Sequence, residues 1–165
     1  MKKILSILSI ITLMFFSSIS DVQAVINSEY QIEASANRVM ELANADLLSM
    51  VYKNELVGYR LDAFKMRAQE YQRLAQYHAE NLNALVNKVQ LANNSIDVSD
   101  SEKEMQRRQY YQEADAALSD LNSKTITYLY GIKDIMPTIT YERYVKKFLD
   151  FYNGLQLSDS ELRIR

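Results

Sequence analysis

Cysteine is absent from the 165 residues, so no disulfide staples this chain and no Cys-x-x-Cys-His haem attachment or thiolate metal site can be built from it. Tryptophan is absent as well, proline occurs once (Pro137), and glycine occurs three times (Gly58, Gly131 and Gly154). Breakers this sparse exclude the many tight turns of a β domain and point to an all-helical chain held by packing alone. Histidine also occurs once, at His78, whereas a zinc site draws on several imidazoles or thiolates. A di-iron bundle needs Glu-x-x-His on two helices, and the residue three before His78 is Ala75. Neither a glycine-rich phosphate loop nor a nucleophile elbow is present. No catalytic residue, metal or cofactor is therefore expected, and the chain does not read as an enzyme. A basic excess is missing too. The 19 basic and 21 acidic residues leave the chain close to neutral, which argues against nucleic acid as a partner.

What the sequence does contain begins at its N-terminus. Lys2 and Lys3 precede a run from Ile4 to Phe16 that only Ser6, Ser9 and Thr12 interrupt, and Val22-Gln23-Ala24 places small residues where a signal peptidase reads. Residues 1–24 are thus expected to be an export signal cleaved after Ala24. The run is shorter than the roughly twenty apolar residues a transmembrane helix needs, and no later stretch reaches that length. The expected product is exported, periplasmic or secreted, with no membrane span after cleavage and no lipid anchor. Its length suits one helical domain over residues 25–157, followed by a tail over 158–165.

Within that domain, a mostly apolar set of residues recurs at alternating steps of four and three from Ala36 through Met40, Ala43, Leu47, Met50, Asn54, Val57, Leu61 and Phe64 to Ala92. This is a heptad seam. Because its phase passes through Gly58 unchanged, one continuous helix on the order of 100 Å long is preferred over two shorter ones. The residues 93–99, NNSIDVS, break the pattern, and Ser99 with Glu102 resembles a capping box that opens a returning helix carrying Tyr111, Ala114, Leu118, Leu121, Thr125, Tyr128 and Ile132. Pro137 stops that helix. A last helix of about fifteen residues follows from Thr140, with Gly154 as its expected C-terminal cap. The expected fold is all-α: an elongated, coiled-coil-like antiparallel hairpin with a short C-terminal helix, or a closed up-down bundle if the chain turns at Gly58.

Two features could carry function. His78 lies on the seam, where it reads either as a structural polar residue or as a haem or metal ligand opposite one of the methionines. The twelve tyrosines, dense in the second half, either complete a small helical core or form a protein-binding or sugar-binding face. The returning helix is too short to cover the whole seam, so Met40, Leu47 and Met50, together with Tyr141, Tyr144, Phe148 and Tyr152 of the last helix, are the candidate interaction residues, with self-association or a protein partner covering them. By elimination, the expected function is non-catalytic binding: a scaffold, chaperone-like protein or accessory subunit of an envelope assembly such as a secretion or pilus apparatus. A secreted helical toxin or effector, and a haem or metal carrier using His78, are the alternatives.

Overall fold

The computed structural model describes residues 29–162, with side chains described as far as Tyr152. The expected export signal, residues 1–24, lies outside the described residues. Four helices and no strand make up the described fold: α1 (Glu29–Ala43), α2 (Tyr59–Asn94), α3 (Asp100–Lys133) and α4 (Thr138–Leu162). The chain is all-α, as its shortage of glycine and proline implies.

The α2–α3 hairpin is the backbone of the molecule. Ser99 starts α3 with both halves of a capping box, its Oγ accepting from the Glu102 amide while the Glu102 carboxylate accepts from the Ser99 amide. Two amide protons that would otherwise lack partners are satisfied in this way. Arg107 donates to Asn93 across the turn, and Tyr71 meets Thr125 deeper in the hairpin, which fixes the antiparallel register. α3 ends before Pro137, whose carbonyl accepts the Tyr141 amide and so opens α4.

α1 and α4 occupy different lengths of this hairpin. Asn93 donates to Glu29, and Gln72 donates to the Ala45 carbonyl, so α1 runs antiparallel to α2 along the half nearer the hairpin tip. The hydroxyls of Tyr128 and Tyr144 are in contact and Tyr152 donates to Asn122, so α4 runs antiparallel to α3 along the other half. The core accordingly falls into two clusters. Phe64, Tyr71, Tyr128, Tyr144 and Phe148 dominate the base, whereas Ala36, Ala75, Ala79, Leu82, Val86 and Ala114 form much of the tip half.

The structure corrects the preference for one continuous helix. The seam from Ala36 to Ala92 is interrupted by a connection over residues 44–58, and the chain folds back there. Short polar side chains give the reason. Asp46 Oδ1 accepts the Ser49 amide, Ser49 Oγ donates to the Asp46 carbonyl, and Glu55 accepts the Tyr52 amide, so local turns compete with the helical ladder. Asn54 and Gly58 then adopt left-handed backbone, with φ of 75° and 57°. Burial of Leu47 and Leu56 in the aromatic cluster rewards the turn. α1 buries Ile32, Ser35, Ala36, Val39 and Leu42, while Met40 is only half-buried, so its core face is rotated from the seam phase. The last helix is also longer than expected. It spans 25 residues to Leu162, Gly154 lies within it rather than capping it, and no helix end marks the expected boundary after Leu157.

Candidate functional site

The candidate interaction residues do not share one exposed face. Leu47, Tyr141, Tyr144 and Phe148 are buried in the protein's own aromatic cluster, and Met50 and Tyr152 are packed against it. Met40 borders the tip-half cluster. Within the chain, Leu47 is buried beside α4, while Met40 and Met50 are only partly buried.

A recess of about 700 Å³ opens where the end of α1 approaches α4, lined by Asn37, Met40, Glu41, Asn44, Ala45 and Phe151. Its walls combine two amides and a carboxylate with apolar surface, but it is open rather than enclosed.

The base cluster takes up five of the twelve tyrosines: Tyr71, Tyr128, Tyr141 and Tyr144 are buried in it and Tyr152 packs against it. Tyr71 stacks on Tyr128 with ring centroids 4.4 Å apart, and Phe64 meets Tyr144 edge-on at 5.2 Å. The hydroxyls are paired as well. Thr125 gives its proton to the Leu121 carbonyl, so the Tyr71 hydroxyl, 2.8 Å from Thr125 Oγ1, must be the donor in that bond. Tyr128 and Tyr144 pair their hydroxyls at 2.7 Å. Burial pushes the phenols of Tyr71, Tyr128 and Tyr144 far above the ordinary tyrosine range, and that of Tyr141 up to about 12. These groups stay neutral, Tyr71 donates to Thr125, and one of the Tyr128 and Tyr144 hydroxyls donates to the other. Their chemistry is that of a packed core.

His78 is only 4% exposed, on α2 in the tip half, flanked in sequence by Ala75, Ala79 and Leu82 of the tip-half cluster. Its Nε2 lies 3.2 Å from Asp120 Oδ2, within ion-pair distance, yet the angles do not meet those of a hydrogen bond, and neither ring nitrogen has a hydrogen-bond partner. Proximity without alignment is a weak contact, so the ring is read as polar and poorly satisfied. Tyr77 packs edge-on against it at 5.6 Å. No group of three or more His, Asp or Glu side chains among the described residues could hold a metal. Asp115, on the same stretch of α3, has one buried oxygen without a partner, and desolvation raises its pKa. The Asn93 amide, part of a sequence triplet that reads as a glycosylation acceptor, is engaged with both Glu29 and Arg107.

Exposed apolar side chains stand at both ends of the hairpin, Val57 and Ile139 toward the base and three more toward the tip. Leu91 is 70% exposed, Met105 66%, and Ile96, at the tip of the hairpin, 95%. The only signal for Ile96 was an apolar residue inside a polar turn. No helix of the described residues is long and apolar enough to cross a membrane. Comparison with protein-family models, with curated proteins and with solved structures gives no match.

Proposed function

We propose that this is an exported, non-catalytic helical interaction protein, a scaffold, chaperone-like protein or accessory subunit of an envelope assembly, that meets its partner through the tip of the α2–α3 hairpin. The observation that supports this reading is Ile96, an isoleucine left 95% exposed at the end of the hairpin, whose neighbouring turns carry exposed Leu91 and Met105. Burying such a side chain against a partner contributes about 1.5–3 kcal/mol, so three of them form a useful anchor. Export is supported by the N-terminal sequence, in which a basic start, an apolar run and Ala24 follow one another.

The test is photocrosslinking in cells with a photoreactive amino acid at position 96, with a second probe on exposed Tyr59 at the far end as control. One discrete adduct from position 96 and none from position 59, on a chain that mass spectrometry finds starting at Val25, is the expected result. Equal labelling from both ends, or a retained precursor, overturns the reading.

A further inference from the structure

The seam at steps of four and three runs unbroken through a connection that is not helical. Ala43, Leu47, Met50, Asn54, Val57 and Leu61 keep the heptad phase across residues 44–58, although the chain turns back on itself there. The connection contains no proline. It is already tightly coiled, with amide-to-carbonyl bonds three residues apart at Asp46–Ser49, Leu48–Val51 and Tyr52–Glu55. Only Asn54 and Gly58 hold left-handed backbone, and a Cβ at Gly58 would meet nothing within 4 Å. Straightening this segment into helix must bring Asn54 and Gly58, with the bends around them, to right-handed backbone, and needs no change of sequence pattern.

The register of α1 on α2 adds a geometric condition. Glu29 lies opposite Asn93 and Ala45 opposite Gln72. If α1, the connection and α2 formed one straight helix, two copies paired antiparallel in this same register would meet at about position 60, because residues 44–58 as helix span about 22 Å and so do the first fifteen residues of α2. Each α1 would then reach the α2–α3 groove of the other copy.

We propose that α1 is an exchangeable helix: the connection 44–58 is a hinge that closes it onto its own hairpin in the monomer and opens to place it on the hairpin of a second copy of this chain. The occupant is a second copy of this chain, since Ile32, Ala36 and Val39 already share one cluster with Ala75, Leu82 and Val86 and the exchanged dimer re-forms that cluster between copies. A polar clasp holds the hinge closed. Lys147 Nζ lies 3.7 Å from the centre of the Tyr52 ring, Arg143 pairs with Glu55, and Gln72 donates to the Ala45 carbonyl at 2.6 Å. The opened hinge replaces that clasp with Leu47, Met50 and Val57 of two helices lying along each other's α2. This inference is independent of any foreign partner at the hairpin tip.

The test uses the absence of native cysteine. Glu29→Cys and Asn93→Cys, whose parent side chains are 3.2 Å apart, report whether α1 lies on its own chain or on another. In that background Gly58→Ala penalises the left-handed hinge twice per dimer, and the dimerisation constant measured by light scattering is expected to rise about thirty-fold or more. Mild oxidation should then link the dimer covalently between chains and the monomer within its chain. A dimer that oxidises only within each chain, showing association through an outer surface, overturns the proposal. So does the lack of any increase in dimer for both Gly58→Ala and the double variant with Asn54→Ala. The pair with the native hinge, refolded from denaturant at high protein concentration, gives the same readout without the Gly58 change: a covalent dimer supports exchange, and intrachain product alone overturns it.

Discussion

The two halves of the hairpin solve the same packing problem with different residues. At the base, aromatic rings fill the space between α2, α3 and α4, and each buried phenol of Tyr71, Tyr128 and Tyr144 has a hydroxyl partner. In the tip half, alanines let α1, α2 and α3 approach closely, and the polar groups at its edge, both nitrogens of His78 and one oxygen of Asp115, have no hydrogen-bond partner. Buried apolar area scales with side-chain size, and unsatisfied polar groups subtract from it, so the base is the more stable half. What differs is not the helices but what stands between them. α2 passes through both halves as one uninterrupted helix, yet it is clamped at one end and lightly held at the other, and the lightly held end is where α1 packs.

The largest expected effect that separates the halves is alkaline unfolding. A phenol whose pKa is raised in the folded state keeps its proton there while the unfolded chain loses it. Stability is then complete below the ordinary tyrosine value of 10.0 and falls as pH rises from there toward the folded values, of which that of Tyr141 is about 12. With Tyr71, Tyr128 and Tyr144 contributing together, the loss approaches roughly 4 kcal/mol per pH unit, about 1.4 for each. Circular dichroism and the absorbance of the tyrosine phenolate should change together in one cooperative step above that value. Gradual ionisation with the helices intact would mean that the base is open to water and that the comparison is wrong.

Next in size is truncation of the base. Phe148 is fully buried among Tyr71, Tyr128 and Tyr144, and Phe148→Ala should cost about 4 kcal/mol in denaturant unfolding. Ile32→Val in α1, also fully buried, should cost only about 1 kcal/mol, because it removes a single methylene group from the smaller cluster. Native-state hydrogen exchange sharpens the contrast: α1 amides should exchange before those of α4 up to Phe148. Equal protection of the two helices would remove the distinction between the halves.

Much of this division was hidden in the sequence, for physical reasons that particular residues show. The hairpin was legible because its signals are local: Ser99 and Glu102 cap α3, and Pro137 cannot continue a helix. The turn at 44–58 was not, because heptad phase records only spacing, whereas the turn is decided by Asp46 and Ser49 bonding to the backbone and by where Leu47 and Leu56 find cover. The same limit placed Leu47, Tyr141, Tyr144 and Phe148 on an interaction face, since an apolar helical face reads alike whether its partner is another chain or the other side of the same molecule. The tyrosines were expected at the rim of a core or on a surface, and several instead stand inside it with their hydroxyls paired to one another.

The smallest effect tests the unsatisfied histidine. His78 has a buried ring whose two nitrogens lack hydrogen bonds, and its nearest charge, Asp120, is half exposed. Replacing one member of a buried pair is usually costly because the other is left uncompensated, but here the survivor is Asp120, whose carboxylate water already reaches. His78→Leu therefore removes the desolvation of a polar ring and leaves no stranded charge, and the flanking Ala75, Ala79 and Leu82 offer the new side chain apolar contact. The expected outcome is a gain of about 1 kcal/mol in denaturant unfolding at neutral pH, with the helical signal unchanged. His78→Gln keeps a polar group in the same place and should not gain. If the leucine variant instead loses stability while the glutamine variant does not, the imidazole is well bonded to Asp120 in solution, and the tip half is satisfied in the same manner as the base.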